Sequence, residues 1–435
     1  LWDADKNNFM PRTGFAYNLD PATVIRGGYG IFFDTIGTHY QSIQAGFQQA
    51  TPVVASLDNG LSFIASTANP FPTGLLPALG PAGGYSTNTR QSVSFFWRKP
   101  VNSYAQRWSL GVQRQFLREV LLDVSYVGNR GTKLLATRQY NAVPASYLST
   151  LPYRDQPTID FLSAQVNNPF AGLLPGTSLN GARVSRSQLL RPFPHFTGIS
   201  SNENVGYSWY HSLQVRSEKR FSQGYTLNLA YTWSKAMDAI SFLNDSDPMP
   251  ERVISADDRT HRLVVSGIYE LPFGRGRRLA SGVSRLLDAF IGGWQINAKV
   301  TRQSGQALGF GNAIFNGNLK DIVLPRSQRG VDGWFNIDAG FERTAARQLS
   351  NNIRRFPSRF SGIRGDGKHM WDVSALKNFA FTEGVTLQFR AEAYNALNHP
   401  NFGNPNTSPT SSAFGRVTSQ SDNPRWWQLT LKVKF

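Results

Sequence analysis

The sequence predicts an all-β fold, an antiparallel transmembrane β-barrel with short periplasmic turns and long extracellular loops. Segments of about ten residues alternate apolar and polar side chains, as strands with two different faces do. Connections between these segments alternate between short and long along the chain. No apolar run approaches the roughly 18 to 20 residues of a spanning helix, so only a closed sheet would satisfy every backbone group in a membrane.

Eleven segments follow the alternating pattern, and we predict each as a strand: 11–20, 22–33, 103–117, 119–129, 207–221, 224–235, 260–273, 291–304, 370–382, 384–397 and 425–435. In the clearest segment, 224–235, five apolar side chains share one face: Tyr225, Leu227, Leu229, Tyr231 and Trp233. A shift of one residue would move all of them to the other face, so the pattern fixes the register.

The connections predict the orientation of the barrel. Short connections lie at Asp20 to Pro21, around Leu117 to Arg118, at Ser222 to Gly224 and at Thr382 to Glu383. Long connections cover about 37–100, 131–205, 236–258, 305–368 and 399–423. Bacterial barrels have short turns in the periplasm and long loops outside, which places Phe435 at the periplasmic side.

One periplasmic connection, 274–292, is longer than the others and has a different composition. It begins with Arg275, Arg277 and Arg278 and continues with the apolar residues Val283, Leu286, Leu287, Ala289 and Phe290. This spacing predicts a short amphipathic helix that covers the rim of the barrel.

Composition restricts the classes of function. Hydrophobic residues make up 40% of the 435 residues, and 39 glycines and 24 prolines fit many strands joined by turns. Cysteine is absent, which excludes disulfides and thiolate chemistry. The net charge of +17 would attract nucleic acid, but the basic residues are scattered and no nucleic-acid-binding module is present, so we expect no such partner. Residues 1–435 are predicted as one barrel region.

Catalytic and metal-binding motifs are absent from the sequence. The six histidines have no helical metal-ligand spacing, and neither HExxH nor GxSxG occurs. We therefore expect no enzyme, no cofactor and no metal centre. The acidic residues Asp245, Asp247, Asp257 and Asp258 offer oxygen ligands for Ca²⁺ but fit no EF-hand, and solvated loop acids are the better interpretation.

Aromatic and charged residues divide between three predicted locations. Most aromatics near strand ends are assigned to a girdle at the membrane interface: Trp209, Tyr210, Trp233, Trp294, Trp371, Trp426 and Trp427. Loop aromatics are candidate solute contacts: Phe95, Phe96, Trp97 and Trp334. Charges such as Arg216, Glu218, Lys299, Arg390 and Glu392 predict a polar lumen, since Arg or Lys on the lipid face costs roughly 2 to 4 kcal/mol.

Several motifs together resemble the barrel of TonB-dependent outer-membrane receptors, and more narrowly the Oar-like group. They are Arg26-Gly27-Gly28-Tyr29-Gly30, Ser125-Tyr126-Val127-Gly128-Asn129-Arg130-Gly131, Tyr231-Thr232-Trp233-Ser234-Lys235, Asp258-Arg259-Thr260-His261-Arg262 with Leu271-Pro272-Phe273-Gly274, and Phe389-Arg390-Ala391-Glu392 through Asn398-His399-Pro400-Asn401-Phe402-Gly403. The resemblance covers nearly the whole chain from residue 9 onward.

The resemblance implies a bacterial outer-membrane protein with a 22-stranded barrel, of which these eleven strands would be the C-terminal half. It implies uptake of an unknown solute through a plug-gated lumen, driven by TonB. The plug and an N-terminal carboxypeptidase-regulatory-like domain would lie upstream, and the chain begins at Leu1 without a signal segment, so we expect further sequence there.

Further partners follow from the same resemblance. They are outer-membrane lipid, lipopolysaccharide, the chain's own plug and the outer-membrane assembly machinery. The final strand resembles the signal read by that machinery, at Trp427, Leu429, Leu431, Val433 and Phe435.

Two alternatives remain open. A structural or adhesive outer-membrane barrel could display long basic, aromatic loops without transport. A soluble β-rich polyanion binder is disfavoured, because it would need irregular loops of roughly sixty residues inside a compact domain.

Overall fold

The computed structural model describes residues 3–34, 51, 53–56, 61–78, 80–86, 92–95, 97, 99–116, 119–173, 179–380 and 384–435. Eleven long strands in these residues form one sheet: β1 (Arg12–Asp20), β2 (Thr23–Phe33), β3 (Tyr104–Phe116), β4 (Val120–Gln139), β5 (Gly198–Ser222), β6 (Tyr225–Ala239), β7 (His261–Glu270), β8 (Trp294–Gln303), β9 (Lys368–Ala380), β10 (Thr386–Tyr394) and β11 (Trp426–Lys434). Each predicted segment overlaps one of them.

The long strands pair in chain order, and every pair of neighbours is antiparallel. β1 and β11 are the two edges of the sheet within the described part of the chain. The predicted all-β, antiparallel architecture is thereby confirmed. The predicted turns at Leu117 to Arg118 and at Thr382 to Glu383 lie outside the described residues.

The register gives the sheet one apolar face. Val112 lies opposite Val124, Val124 opposite Val215, and Val215 opposite Tyr231, which in turn lies opposite Leu263. We call this the outward face, since strands whose apolar side chains share one side suit contact with lipid.

The opposite face of the same sheet, the lumen face, carries charge. Asp123 lies opposite Arg216 across β4 and β5, and Lys299 lies opposite Asp372 across β8 and β9. Arg216 also approaches Glu218 on its own strand, at 3.6 Å between Nη2 and Oε2. Most charged side chains of the long strands therefore lie on the face opposite the apolar ones, as the sequence predicts.

Aromatic rings cover glycines on the outward face. The ring of Phe15 on β1 lies over Gly27 on β2, and the ring of Trp108 on β3 lies over Gly128 on β4. A Cβ atom at either glycine would overlap the ring above it. Because each glycine has no side chain, the aromatic ring from the neighbouring strand can lie over it.

β4 and β5 continue about ten residues beyond their predicted outer ends. The predicted segments were 119–129 and 207–221, whereas the strands span Val120–Gln139 and Gly198–Ser222. Their outer pairing is irregular, with register shifts on either side of Leu134 and a φ of 56° at Lys133. β4 and β5 therefore extend beyond the neighbouring long strands at their outer ends.

The outer loops contain most of the remaining regular structure. Short strands are Ser92–Phe95, Gln165–Asn167, Arg183–Ser185, Val253–Ile254, Ala307–Leu308 and Phe360–Arg364, and helices α1 and α2 span Gln156–Ser163 and Arg186–Leu189. Short 3₁₀ turns span Gly80–Ser86, Ala145–Tyr147, Leu319–Ile322, Arg326–Gln328 and Ala345–Arg347. Helix α3, Arg285–Ile291, lies in the periplasmic connection where the sequence predicts a helix.

The largest cluster of buried apolar side chains lies in the outer loops. We call it the loop core, and it contains Leu308, Phe310, Ala313, Ile322, Phe335, Phe341, Ile363 and Phe414. Phe414, from the loop after β10, packs against Phe335 and Phe341 from the loop after β8, with ring centroids 5.2 Å apart in both pairs. The two loops therefore share one core.

Among the described residues, no helix has the length and apolar character needed to cross a membrane.

Candidate functional site

Four outer loops meet at a cleft of about 600 Å³, which we call the outer cleft. The loops follow β2, β4, β6 and β8. Its polar lining comprises two arginines, one carboxylate and several amides: Arg191, Arg354, Asp245, Asn141, Asn244, Asn312 and Asn352. Guanidinium and amide groups at one site provide donors for a polar, negatively charged solute.

Arg354 is held in the outer cleft through its backbone. The Arg354 amide donates to Asn244 Oδ1 at 2.6 Å, and Asn244 Nδ2 donates to the Arg354 carbonyl at 3.0 Å. Arg354 Nε makes a long bond of 3.3 Å to the carbonyl of Phe356. This pairing joins the loop after β8 to the loop after β6.

Arg191 joins two parts of the loop after β4. Its Nη1 donates to the carbonyls of Asn141 at 2.9 Å and Thr197 at 2.8 Å. Asn141 is itself buried, and its Nδ2 donates to the carbonyls of Phe193 and Phe196. Arg191 Nε is buried without a hydrogen-bond partner in the described structure.

Asp245 gives the outer cleft a carboxylate with a raised pKa. The residue is exposed to solvent in the cleft, but desolvation by the surrounding protein raises the pKa of its carboxyl. The positive charge of Arg191 opposes this change, and the negative charge of Asp247 adds to it. Asp245 therefore takes up a proton at a higher pH than an ordinary aspartate.

An aromatic cluster stands beside the outer cleft. The strand Ser92–Phe95 runs parallel to the outer end of β5, and Ser92 and Gln139 line the cleft. The rings of Phe95 and Trp97 are 5.5 Å apart, and Phe95 is also 5.5 Å from Tyr140. Phe95 and Trp97 are exposed, so the cluster offers ring faces to a solute.

Tyr140 is fixed by charged neighbours. Its hydroxyl donates to Glu203, whose other oxygen accepts from Arg138 Nε at 2.8 Å. Burial, together with the hydrogen bond to Glu203, raises the pKa of Tyr140 to about 12. Tyr140 therefore remains a neutral phenol at physiological pH.

The other predicted loop contacts have different surroundings. Trp334 is half-buried against the loop core, and its Nε1 donates to the carbonyl of Arg364 at 2.7 Å. Phe96 lies outside the described residues. Solute contact by Phe95, Phe96, Trp97 or Trp334 stays a prediction.

Asp258 fixes the outer loops to the sheet, which the sequence reading missed. Its side chain is 1% exposed, and Oδ2 lies 2.6 Å from Arg364 Nη2. The Ala236 amide donates to Oδ1 at 2.6 Å, and Thr260 Oγ1 lies 3.3 Å from Oδ2. The interpretation of Asp258 as a solvated loop acid is wrong, since its charge is neutralised inside the protein.

A second polar concavity, the lumen groove, lies on the lumen face and has a volume of about 350 Å³. Its charged lining residues are Lys299, Asp372 and Glu392. Asn297 Nδ2 donates to Ser374 Oγ at 3.0 Å within the groove. Both signs of charge are present, so the groove suits a hydrated solute path or a polar protein surface.

Comparison with protein families identifies the class of this sheet. Residues 1–428 match the model of the outer membrane beta barrel domain. The chain belongs to this outer-membrane barrel family. The predicted location in the bacterial outer membrane is confirmed with it.

Solved structures similar to this barrel are transporters and receptors of the outer membrane. The transporter YddB from Escherichia coli is 10% identical with a TM-score of 0.45, over 98% of this chain and 40% of YddB. The siderophore receptor PirA from Acinetobacter baumannii is 10% identical with a TM-score of 0.44, over 98% and 41%. The FrpB iron transporter from Neisseria meningitidis is 11% identical with a TM-score of 0.41, over 98% and 39%.

The barrel chain thus spans about 40% of the length of YddB and 41% of PirA. Among curated proteins, none matches it in sequence.

Histidine–tyrosine pairs recur on the outward face of the barrel. Tyr126 Oη lies 2.7 Å from His211 Nδ1, and Tyr231 Oη lies 2.9 Å from His261 Nδ1. The rings are nearly parallel in both pairs, with interplanar angles of 16° and 15°. Trp233, opposite His261 in the register, is exposed beside them. Amphipathic rings at this position fit the predicted interfacial girdle.

The predicted assembly signal lies on the last strand of the barrel, at a sheet edge. Its residues are exposed: Trp427, Leu429, Leu431, Val433 and Phe435. β11 pairs with β10 through residues 426–434, which leaves its other edge unpaired in the described residues. Recognition of this strand by the assembly machinery stays a prediction.

Proposed function

We propose that this chain is the barrel portion of an Oar-like, TonB-dependent outer-membrane transporter. A solute would be captured at the outer cleft and admitted through a plug-gated lumen, with TonB supplying the driving force. The observation that supports this most directly is the outer cleft, where three of the four loops hold Arg191 and Arg354 beside several amides. We expect no catalysis by this chain.

The chemistry of the outer cleft favours a polar solute with negative charge. Guanidinium groups bind carboxylates and phosphates through paired hydrogen bonds, and amides supply further donors and acceptors. Asp245 is the opposing charge, and the raised pKa of its carboxyl means that this charge is lost at a higher pH than that of an ordinary aspartate. Phe95 and Trp97 add exposed rings at the neighbouring surface.

The lumen face supports a path for such a solute. Lys299, Asp372 and Glu392 line the lumen groove beneath the loops. Charged groups there remain hydrated or contact a plug, whereas the same groups on the outward face would be desolvated by lipid. The plug and TonB are proposed from the resemblance of the motifs to Oar-like receptors.

The test is to compare how growth medium is depleted by three strains: wild type, one lacking the gene for this chain, and one lacking TonB. A solute whose removal from the medium requires both genes is the cargo. If no component of the medium depends on both, the transport proposal fails.

The role of the outer cleft is tested next with Arg354→Gln, using the cargo identified in this way. Arg355→Gln is the matched control, because Arg355 is exposed and outside the cleft lining. We expect weaker capture with Arg354→Gln and unchanged capture with Arg355→Gln. Equal effects of the two substitutions would exclude the cleft as the capture site.

The second candidate is a structural or adhesive barrel that displays its loops without transport. The loop core favours it, because buried rings such as Phe310 and Phe414 make the outer surface rigid enough for display. This function predicts that a ligand still binds to the cell surface in cells that lack TonB, and that no uptake follows in any strain.

A further inference from the structure

Helix α3 lies on the outward side of the barrel, at its periplasmic end. It occupies the connection between β7 and β8, and Ser284 Oγ caps its start by accepting from the Leu287 amide at 3.3 Å. The Gly292 amide donates to the Asp288 carbonyl at 2.8 Å and closes its last turn.

Two outward side chains hold the end of α3 against the sheet. Lys377 on β9 lies opposite Trp294 on β8 and opposite Phe389 on β10, which in turn lies opposite Leu431. Lys377 Nζ donates to the Gly292 carbonyl at 2.6 Å, and Trp294 Nε1 donates to the Phe290 carbonyl at 2.7 Å.

These bonds solve a problem of charge on the outward face. A lysine there would be costly in contact with lipid. Lys377 is only 3% exposed, because the end of the helix covers it and its ammonium group meets the carbonyl end of the helix dipole. The helix is therefore fixed to the lipid side of the wall.

The apolar side chains of α3 remain uncovered. Leu286 and Phe290, one turn apart and hence on one side of the helix, are 79% and 74% exposed, and Leu287 is 46% exposed. Basic residues flank them: Arg277 pairs with Glu270 at 3.1 Å, while Arg275, Arg278 and Arg285 are exposed. Apolar and basic groups thus lie together beside the membrane wall.

We propose that α3 and its basic flank form a membrane-surface anchor that binds the anionic phospholipids of the periplasmic leaflet. Leu286 and Phe290 enter the acyl region, while Arg275, Arg278 and Arg285 contact phosphate groups. Amphipathic helices with this division of residues lie in the plane of the interface, and basic residues draw them to anionic lipid. The position on the lipid side and the charge complementarity select this occupant over a soluble protein.

The absence of cysteine from the chain makes a direct test possible. Spin labels are placed at Leu286→Cys or Phe290→Cys in the complete protein, reconstituted in phosphatidylglycerol and phosphatidylethanolamine vesicles. Val433→Cys, on the outward face of β11, is the lipid-exposed control, and Lys320→Cys, in an exposed outer turn, is the water-exposed control. Collision with oxygen and with a nickel chelate reports the depth of each label.

We expect the labels at 286 and 290 to collide with oxygen more than with nickel, as the label at 433 does. Nickel accessibility equal to that at 320 would overturn the proposal. Protection from both probes would also overturn it, because a protein would then cover the helix.

The lipid preference is tested with Arg275→Gln, Arg278→Gln and Arg285→Gln combined in the labelled protein. We expect the label at 286 to move toward water in this variant, and also in vesicles of phosphatidylcholine alone. An unchanged depth in both cases would overturn the assignment to anionic headgroups. The label at 433 shows whether the barrel has folded in each sample.

Discussion

Loss of Arg364 should release the outer loops from the barrel wall. Arg364 neutralises the carboxylate of Asp258, whose side chain is 1% exposed and 2.6 Å away. Removing one partner of a buried ion pair costs about 3 to 5 kcal/mol, because the other charge remains buried without compensation. At about 1.4 kcal/mol for each factor of ten, the opening equilibrium should rise by roughly two to nearly four powers of ten.

Hydrogen exchange at the Ala236 amide measures this opening directly, since that amide donates to Asp258 Oδ1. Arg364→Met should accelerate exchange by the factor above, whereas Arg355→Met, at an exposed position, should leave it unchanged. Adding Asp258→Asn should restore much of the protection, because the amide oxygen still accepts from Ala236 and carries no charge. Exchange in Arg364→Met at the wild-type rate, or no recovery in the double variant, would refute the reasoning.

Three further perturbations test the loop core, the outer cleft and the last strand. Phe414 is 2% exposed, so Phe414→Ala should destabilise the loop core by about 3 to 5 kcal/mol. Protease cleavage within 304–367 on whole cells should then be faster. Leu397→Ala, at an exposed site, should not have this effect. The pKa of the Asp245 carboxyl is raised, so this group loses its charge early as the pH falls, while arginine side chains keep theirs. Capture of an anionic cargo should therefore tighten as the pH falls. Asp245→Asn should abolish that dependence in a binding titration. Deletion of Phe435 should reduce the folded, heat-modifiable barrel in outer-membrane fractions, whereas Lys434→Ala should not; equal amounts of folded barrel would argue against the assembly signal.

The wall of the barrel was predictable because its two faces meet different environments. In β6, Leu227, Tyr231 and Trp233 lie on the outward face and Asn228 lines the lumen groove. Apolar and polar residues therefore alternate along the strand, and this alternation predicts it. The outer ends of β4 and β5 lack this guide. Around Lys133 the pairing shifts register, and the alternation that would have revealed the strand is lost.

The loops were not predictable in the same way, because their contacts join distant parts of the chain. Phe310 and Phe414 belong to different loops, and no local period links them. Asp258 likewise pairs with Arg364, which lies in a different loop. The sequence shows a run of mostly charged residues at 257–262, but it does not show which residue pairs with Asp258. Non-local contacts of this kind appear only when the fold brings the segments together.

The aromatic residues of the loops show why composition alone could not define the site. Trp334 and Trp97 are indistinguishable as loop tryptophans in the sequence, yet Trp334 packs against the loop core while Trp97 is exposed. Packing consumes the surface that a ligand would need, and exposure leaves it available. The outer cleft combines exposed rings at its edge with Arg191 and Arg354. The loops that carry these arginines are held by buried contacts, namely the Asp258–Arg364 ion pair and the hydrogen bonds of Asn141. A capture surface of this kind would depend on those buried contacts as much as on the residues that touch the solute.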